Sequence, residues 1–155
     1  KQAGKNNIMT NDIGIPLDVL DRHLSQTTKI EWDPFLPDPE GPYAFKFSIP
    51  PTNPEDAGEE YTVFFRAKTD GTLEMSREDG NRPRNVLILS KNNVNAKLGI
   101  PLIEYYSSVG LDGKGVPAQS LSEITCAKIT IAAKSPDSDT PLTSSRFVKF
   151  QNKKW

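Results

Sequence analysis

The chain has few of the residues from which catalytic and metal sites are usually built. Its 155 residues include one cysteine, Cys126, and one histidine, His23. A single cysteine cannot form an intrachain disulfide. A zinc site with the usual four Cys and His ligands cannot be assembled from these two residues alone. We therefore expect a chain without a disulfide framework and without a metal or other cofactor.

The chain also lacks an excess of either charge. It has 19 lysines and arginines against 20 aspartates and glutamates, and a formal net charge of -1. Such a balance predicts no general attraction to nucleic acid or to an anionic membrane surface. No apolar run is long enough for a transmembrane helix or a signal peptide. We expect neither a nucleic-acid partner nor a small-molecule substrate.

One segment near the N-terminus has the periodicity of a helix. Four apolar residues recur at spacings of four, three and four: Ile13, Leu17, Leu20 and Leu24. This spacing places them on one helix face, and Pro16 suits a first helical turn. The pattern predicts a helix from Pro16 to Thr28. If the helix began near Ile8 instead, Pro16 would disturb it from within.

After a proline-rich loop, residues 32–42, the period changes from that of a helix to that of strands. Alternating or β-branched runs predict six or seven strands, within 43–49, 60–68, 72–78, 85–90, 100–108, 124–134 and 144–152. Asp70-Gly71 and Asp79-Gly80 are hairpin signals between such runs, whereas 92–97 reads as a polar turn. A helix followed by strands predicts the α+β class, with an amphipathic helix packed on one antiparallel sheet.

The residues whose side chains could take part in catalysis have no recognisable partner residues in the sequence. His23 has no nucleophile motif and no carboxylate at a recognised spacing, which favours a surface or boundary histidine. Cys126 lies in a β-branched run with only Lys128 nearby, which favours a packing residue. Gly110–Gly115, "GLDGKG", matches neither a P-loop nor an EF-hand and is typical of a glycine turn. We therefore do not expect an enzyme.

Two binding hypotheses remain from the residues themselves. The acidic loops "DPFLPDPE" and "PEDAGEE" could coordinate calcium through oxygen ligands in an adhesion domain, although they have no defined ligand spacing. Four aromatic residues could form a surface that recognises sugar or protein in a secreted β-rich module: Trp32, Phe35, Tyr105 and Tyr106. This second hypothesis requires the four rings to be exposed together in one patch.

Two further segments carry a family resemblance. In the first segment, "IPLDVLDRHLSQTTKI" (15–30), the residues that fit the family pattern are Leu17, Leu20, Asp21, Arg22, Leu24, Gln26, Thr27 and Ile30. In the second segment, from 102 to 152, they are Leu102, Tyr105, Tyr106, Asp112, Gly113, Ile124, Ile129, Ile131, Ala133, Leu142, Thr143, Val148 and Asn152. "EYTVFFRAKTDGTLEMSREDG" adds a hairpin between them. In these features the chain resembles the J/W-type minor pilins and pseudopilins. It departs from them in the length of the turn after the tyrosine pair and in its proline-rich loops.

The resemblance implies a non-enzymatic structural subunit of a type IV pilus or a type II secretion filament. Such a subunit would act in filament initiation, tip assembly or secretion, in the bacterial cell envelope. Its partners would be other pilin or pseudopilin subunits, together with the inner membrane through an apolar N-terminal helix expected upstream of Lys1. Residues 1–14 would then be an N-terminal stub and 15–155 a single pilin-like domain. Leu17, Leu20 and Leu24 would be the candidate partner-packing face of the helix.

Overall fold

The N-terminal helix begins earlier than its periodicity predicts. The computed structural model describes residues 7–37, 41–50, 60–78 and 85–155. Ile8–Gly14 is a π-helix and continues directly into α1, Ile15–Leu24. Pro16 has no N–H, and just before it the N–H of Ile15 reaches back five residues to the Thr10 carbonyl. The α-helix itself begins within one residue of the predicted Pro16, but the helical segment as a whole begins at Ile8, as in the alternative prediction. The predicted end at Thr28 is wrong, because the helix ends at Leu24.

Nine strands follow among the described residues, and they form two antiparallel sheets. The first sheet has the order β1-β2-β3-β4-β5. Its strands are Lys29–Ile30, Ala44–Ile49, Tyr61–Ala67, Leu73–Glu78 and Asn85–Ser90. The second has the order β7-β6-β8-β9. Its strands are Ile103–Val109 (β6), Gly115–Pro117 (β7), Cys126–Ala133 (β8) and Leu142–Lys149 (β9).

The expected fold class, a helix packed on one antiparallel sheet, is wrong. The chain is mostly β, with two separate sheets and a short N-terminal helix. The chain leaves the first sheet after Ser90, and the predicted polar turn contains a short helix, α2, Asn95–Leu98. Alternation identifies a strand and its buried face, but it carries no information about which strands share hydrogen bonds. That pairing is what divides the chain into two sheets.

The buried faces predicted for β3 and β8 are confirmed, whereas β5 shows no alternation of burial. Tyr61, Val63, Phe65 and Ala67 of β3 are all buried, as are Ala127, Ile129, Ile131 and Ala133 of β8. The Asp70-Gly71 hairpin between β3 and β4 is also confirmed, with Gly71 at φ +95°. The Asp79-Gly80 signal lies outside the described residues.

One hydrophobic core joins the helix and both sheets. Phe45, Phe47 and Phe65 of the first sheet pack with ring centroids 5.3–5.9 Å apart. They belong to the same buried cluster as the α1 leucines and the isoleucines of β8. Ile8 and Ile13 are buried in this cluster too, so residues 8–14 pack with the rest of the domain.

Polar contacts hold the helix at both of its ends. Near its start, the two carboxylate oxygens of Asp12 accept hydrogen bonds from the Ser90 hydroxyl at 2.7 Å and the Asn92 amide at 3.2 Å. Further along, the Arg146 guanidinium of β9 donates to Asp18 at 2.7 Å and Asp21 at 3.1 Å. The helix therefore touches the edge of each sheet. None of the described helices has the length and hydropathy needed to span a bilayer.

Candidate functional site

The helix face that was predicted to pack against a partner packs instead against the core of its own domain. Leu17, Leu20 and Leu24 are at most 2% exposed and belong to the common core. A partner that meets this helix would contact its other side. Met9 and Ile15 are exposed there, at 41% and 52%.

A second apolar surface lies on β5, which forms one edge of the first sheet. Val86, Leu87 and Ile88 are consecutive and are 54%, 53% and 43% exposed. No described strand pairs with the outer side of β5. An edge strand with exposed apolar side chains is a template for another strand, and soluble proteins usually protect such edges with charge. We call Val86–Ile88 the β5 edge patch. The sequence predicted this strand but not its exposed position.

The other long edge strand has the usual protection. β9 is the outer strand of the second sheet, and polar side chains dominate it: Thr143, Ser144, Ser145, Arg146 and Lys149. Its main exposed apolar residue is Phe147, at 40%, and the ring of Phe147 packs edge-on against Tyr106 with centroids 5.6 Å apart. The β5 edge patch is therefore unusual even within this molecule.

Three of the four aromatic residues proposed as a binding surface line one cavity. Trp32, Phe35 and Tyr105 border a cavity of about 320 Å³ at the seam between the two sheets. Ala44 and Phe45 of β2 form part of its wall, and so do the following residues from elsewhere in the chain: Asp33, Pro34, Leu36, Gly41, Pro42, Ile103 and Ala118. The volume lies at the lower end of the range typical of ligand pockets, about 300–1,000 Å³. We call this the seam cavity.

The local backbone explains how the rings reach the seam. The N–H groups of Glu31 and Trp32 both bond to the Lys46 carbonyl, at 2.9 and 3.3 Å, and hold the loop on β2. The Trp32 ring then packs edge-on against Phe64 with centroids 5.0 Å apart. Asp33 next turns the chain, since its Oδ1 accepts a hydrogen bond from the Phe35 N–H at 2.9 Å. This turn brings Phe35, which is 43% exposed, to the mouth of the cavity.

The fourth aromatic residue, Tyr106, lies apart from the other three. Successive residues of a strand point to opposite faces, so β6 presents Tyr105 to the seam cavity and Tyr106 to the other side. There Tyr106 packs against Phe147 and over Gly115 of β7. The prediction of four rings exposed together in one patch is therefore wrong: Tyr106 faces the other side, Tyr105 packs against the core, and of the four only Phe35 is exposed. Trp32, Phe35 and Tyr105 nevertheless line one cavity.

His23 and Cys126 occupy the packing environments predicted for them. The half-buried His23 bonds through Nδ1 to the Val19 carbonyl at 2.7 Å, and its ring lies edge-on to Phe65. Burial lowers the pKa of His23, and the bond to Val19 opposes this effect only in part. Cys126 is 7% exposed, and its sulfur lies 3.8 Å from the Tyr106 carbonyl.

The glycine-rich loop is a hairpin turn between β6 and β7. Gly113 has a φ of +78°, the Gly110 N–H bonds to the Lys114 carbonyl at 2.8 Å, and Asp112 Oδ1 accepts from the Lys114 N–H at 3.0 Å. The acidic loops fall largely outside the described residues. Within the described part of the chain, no three Asp, Glu, His or Cys side chains converge as a metal site would require.

Comparison with known proteins adds no relative. No protein-family model matches the chain, and no curated protein or solved structure is detectably similar to it.

Proposed function

We propose that this chain is a non-enzymatic assembly subunit, of the minor pilin or pseudopilin kind, that contributes to a type IV pilus or type II secretion filament in the bacterial cell envelope. The observation that carries the proposal is the β5 edge patch. Three adjacent apolar side chains on an edge strand that no described strand pairs are costly for a protein that stays alone in solution. They suit a protein whose edge is covered by a neighbouring subunit.

Two other features support the same function. The exposed side of the N-terminal helix carries Met9 and Ile15, a second apolar surface that a neighbouring subunit could cover. The sequence matches in residues 15–30 and 102–152 also favour a subunit of this kind. In this proposal the chain's partners are other subunits of the filament, and its precursor is anchored in the inner membrane.

Crosslinking in the native host tests the assembly role. In a Cys126→Ser background, Leu87→Cys places the only thiol in the β5 edge patch. Because this edge would lie against a neighbour, we expect a maleimide–benzophenone crosslinker attached to this thiol to capture another envelope subunit on irradiation. Thr143→Cys, exposed on the polar edge strand β9, is the matched control and should crosslink much less. Equal crosslinking from both positions, or none from Leu87→Cys, would count against the proposal.

The gene upstream of Lys1 gives an independent test of the membrane-anchored precursor. We expect a short basic leader, a cleavage site and about 20 consecutive apolar residues. A start codon a few residues upstream, with no apolar run, would rule out a pilin or pseudopilin. Assembly through the β5 edge patch would then still be tested by the crosslinking experiment.

A second candidate function is favoured by the seam cavity. Trp32, Phe35 and Tyr105 line one concave site, and such a site is the usual form of a ligand-binding pocket. A binding module that recognises sugar or protein through these rings is therefore the alternative to an assembly subunit.

A further inference from the structure

The described walls of the seam cavity combine aromatic rings with one carboxylate. Trp32, Phe35, Phe45 and Tyr105 contribute the rings. Among the described residues that line the cavity, Asp33 is the only one with a charged side chain. The described part of the site therefore carries a negative charge, in contrast to the near-neutral chain as a whole.

The Asp33 carboxylate has hydrogen-bonding capacity to spare. Its Oδ1 accepts the Phe35 N–H within the turn, and Oδ2 has no hydrogen bond or ion pair with any residue that the structure describes. A carboxylate oxygen can accept further bonds, and those from a cationic donor are the strongest. A ligand with a positively charged group would pair with this oxygen in place of solvent.

The Tyr105 hydroxyl is a second polar group without a partner. Burial raises the pKa of this hydroxyl, and no charged group contributes to the change. The hydroxyl makes no hydrogen bond within the described part of the chain, and it is not one of the polar side-chain atoms that are sealed from solvent. Tyr105 lines the cavity, so a ligand there is placed to bond with it.

We propose that the seam cavity binds an organic cation, namely an apolar stem that carries a guanidinium or primary ammonium head. Aromatic rings attract cations through the negative potential of their faces, and the free oxygen of Asp33 would pair with the head. The volume of about 320 Å³ accommodates one such group. The cation could belong to an arginine or lysine side chain of a protein or to a free amine.

The proposal rests on the second candidate function and is independent of the assembly role. It narrows the expected ligand of that binding module from a sugar or a protein to an organic cation. A neutral sugar would satisfy the Tyr105 hydroxyl but would leave the carboxylate without a counter-charge, which is why the cation is preferred.

Fluorescence of Trp32 reports on the cavity directly. The chain has two tryptophans, so Trp155→Phe leaves Trp32 as the only one. We would titrate this variant with n-butylguanidinium, with the nearly isosteric neutral n-butylurea and with methyl glucoside. We expect saturable binding of the cation at about millimolar concentration, as suits so small a ligand, and binding of the urea at least tenfold weaker. Calorimetry on the wild-type chain repeats the measurement without the Trp155 substitution.

Two conservative variants test the named groups. Asp33→Asn keeps an oxygen that can accept the Phe35 N–H, so the turn is preserved while the charge is removed. Because charge-assisted bonds exceed neutral ones in strength, we expect a loss of affinity of about tenfold or more. Tyr105→Phe removes only the hydroxyl and should weaken binding less. Asp112→Asn, in the β6–β7 turn, is the matched control and should leave affinity unchanged.

Each outcome decides the proposal. Equal affinity for the cation and the urea, no effect of Asp33→Asn, or no binding of the cation would overturn it. Binding of methyl glucoside alone would also overturn it, while keeping the cavity as a sugar site. Either source of the cation supports the proposal. Tighter binding of the peptide acetyl-Gly-Arg-Gly-amide than of n-butylguanidinium would identify a protein side chain, and equal or weaker binding would identify a free amine.

Discussion

At the scale of single residues, packing roles depend on neighbours that are distant in sequence. Gly115 is an example, because a Cβ at this position would lie 2.3 Å from Cδ1 of the Tyr106 ring. Glycine therefore allows Tyr106 to lie flat on β7 and to meet Phe147. The sequence predicted a glycine turn from 110 to 115, and the structure shows that one of these glycines also makes room for an aromatic ring.

His23 gives a prediction at this scale. Burial lowers its pKa in the folded state, whereas in the unfolded chain the pKa is about 6.5. Below about pH 6.5 the unfolded state therefore binds more protons, and stability falls as the pH falls. Since His23 is the only histidine, we expect the urea midpoint to drop between pH 7.5 and pH 5.5.

The control for this prediction is a residue that does not titrate. His23→Gln should be less stable at pH 7.5 because its contacts with Val19 and Phe65 change, but its midpoint should vary less between the two pH values. An equal pH dependence in both proteins would show that His23 does not cause the effect.

At the scale of elements, the short helix between the two sheets is fixed to the second sheet by a single buried side chain. Asn95 opens α2 and is fully buried. Its Oδ1 accepts bonds from the Asn93 amide at 2.8 Å and the Ala132 N–H at 2.9 Å. Its Nδ2 donates to the carbonyls of Ile100 at 3.0 Å and Thr130 at 2.8 Å. All four of its hydrogen-bonding positions are used, so α2 is fixed to β8 by this residue.

Replacement of this side chain should be strongly destabilising. Asn95→Ala leaves the Ala132 N–H and the Ile100 and Thr130 carbonyls without their partner inside the protein. Because each buried unpaired group costs about 1–3 kcal/mol, we expect a loss of about 3 kcal/mol or more in the free energy of unfolding, measured by urea denaturation. Asn152→Ala, at an exposed position, should change it by less than about 0.5 kcal/mol. A small effect of Asn95→Ala would mean that water enters and replaces the amide.

At the scale of the whole molecule, two sheets share one core. The phenylalanines of the first sheet, the leucines of α1 and the isoleucines of β8 form a single buried cluster. The two sheets should therefore unfold together and not as independent units. The two tryptophans are placed to test this, because Trp32 packs on Phe64 of the first sheet and Trp155 packs on Phe150 next to the second.

Single-tryptophan variants provide the measurement. Trp155→Phe reports unfolding through Trp32, and Trp32→Phe reports it through Trp155. When each fluorescence transition is compared with the circular-dichroism transition of the same variant, we expect the two to coincide, as in two-state unfolding. A fluorescence midpoint that precedes the circular-dichroism midpoint in either variant would show that the two sheets unfold separately.

Prediction from sequence worked best where the signal is local. The alternation in β3 and β8 identified their buried faces because side chains point to opposite faces with a period of two. The helix start was missed because the i→i+5 bonds before Pro16 have no sequence signature that periodicity detects. For the candidate site, three of the four aromatic residues singled out line one cavity, but Tyr106 was grouped with Tyr105 although neighbours in a strand face opposite ways. The β5 edge patch was missed because exposure of an edge depends on which strand ends the sheet.

The sequence by itself determined the local structure: a helix whose leucines line one face, strands with alternating buried residues, and turns at Asp70-Gly71 and Asp112-Gly113. These follow from backbone geometry and the hydrophobic effect acting over a few residues. Only the tertiary structure decided that the strands form two sheets, that Trp32 and Tyr105 line one cavity at their seam and that Val86–Ile88 are exposed. The packing of the helix and the two sheets around one core depends on contacts between distant segments, as with Asp12 and Ser90, which are 78 residues apart. Such contacts are selected by the packing of the whole chain.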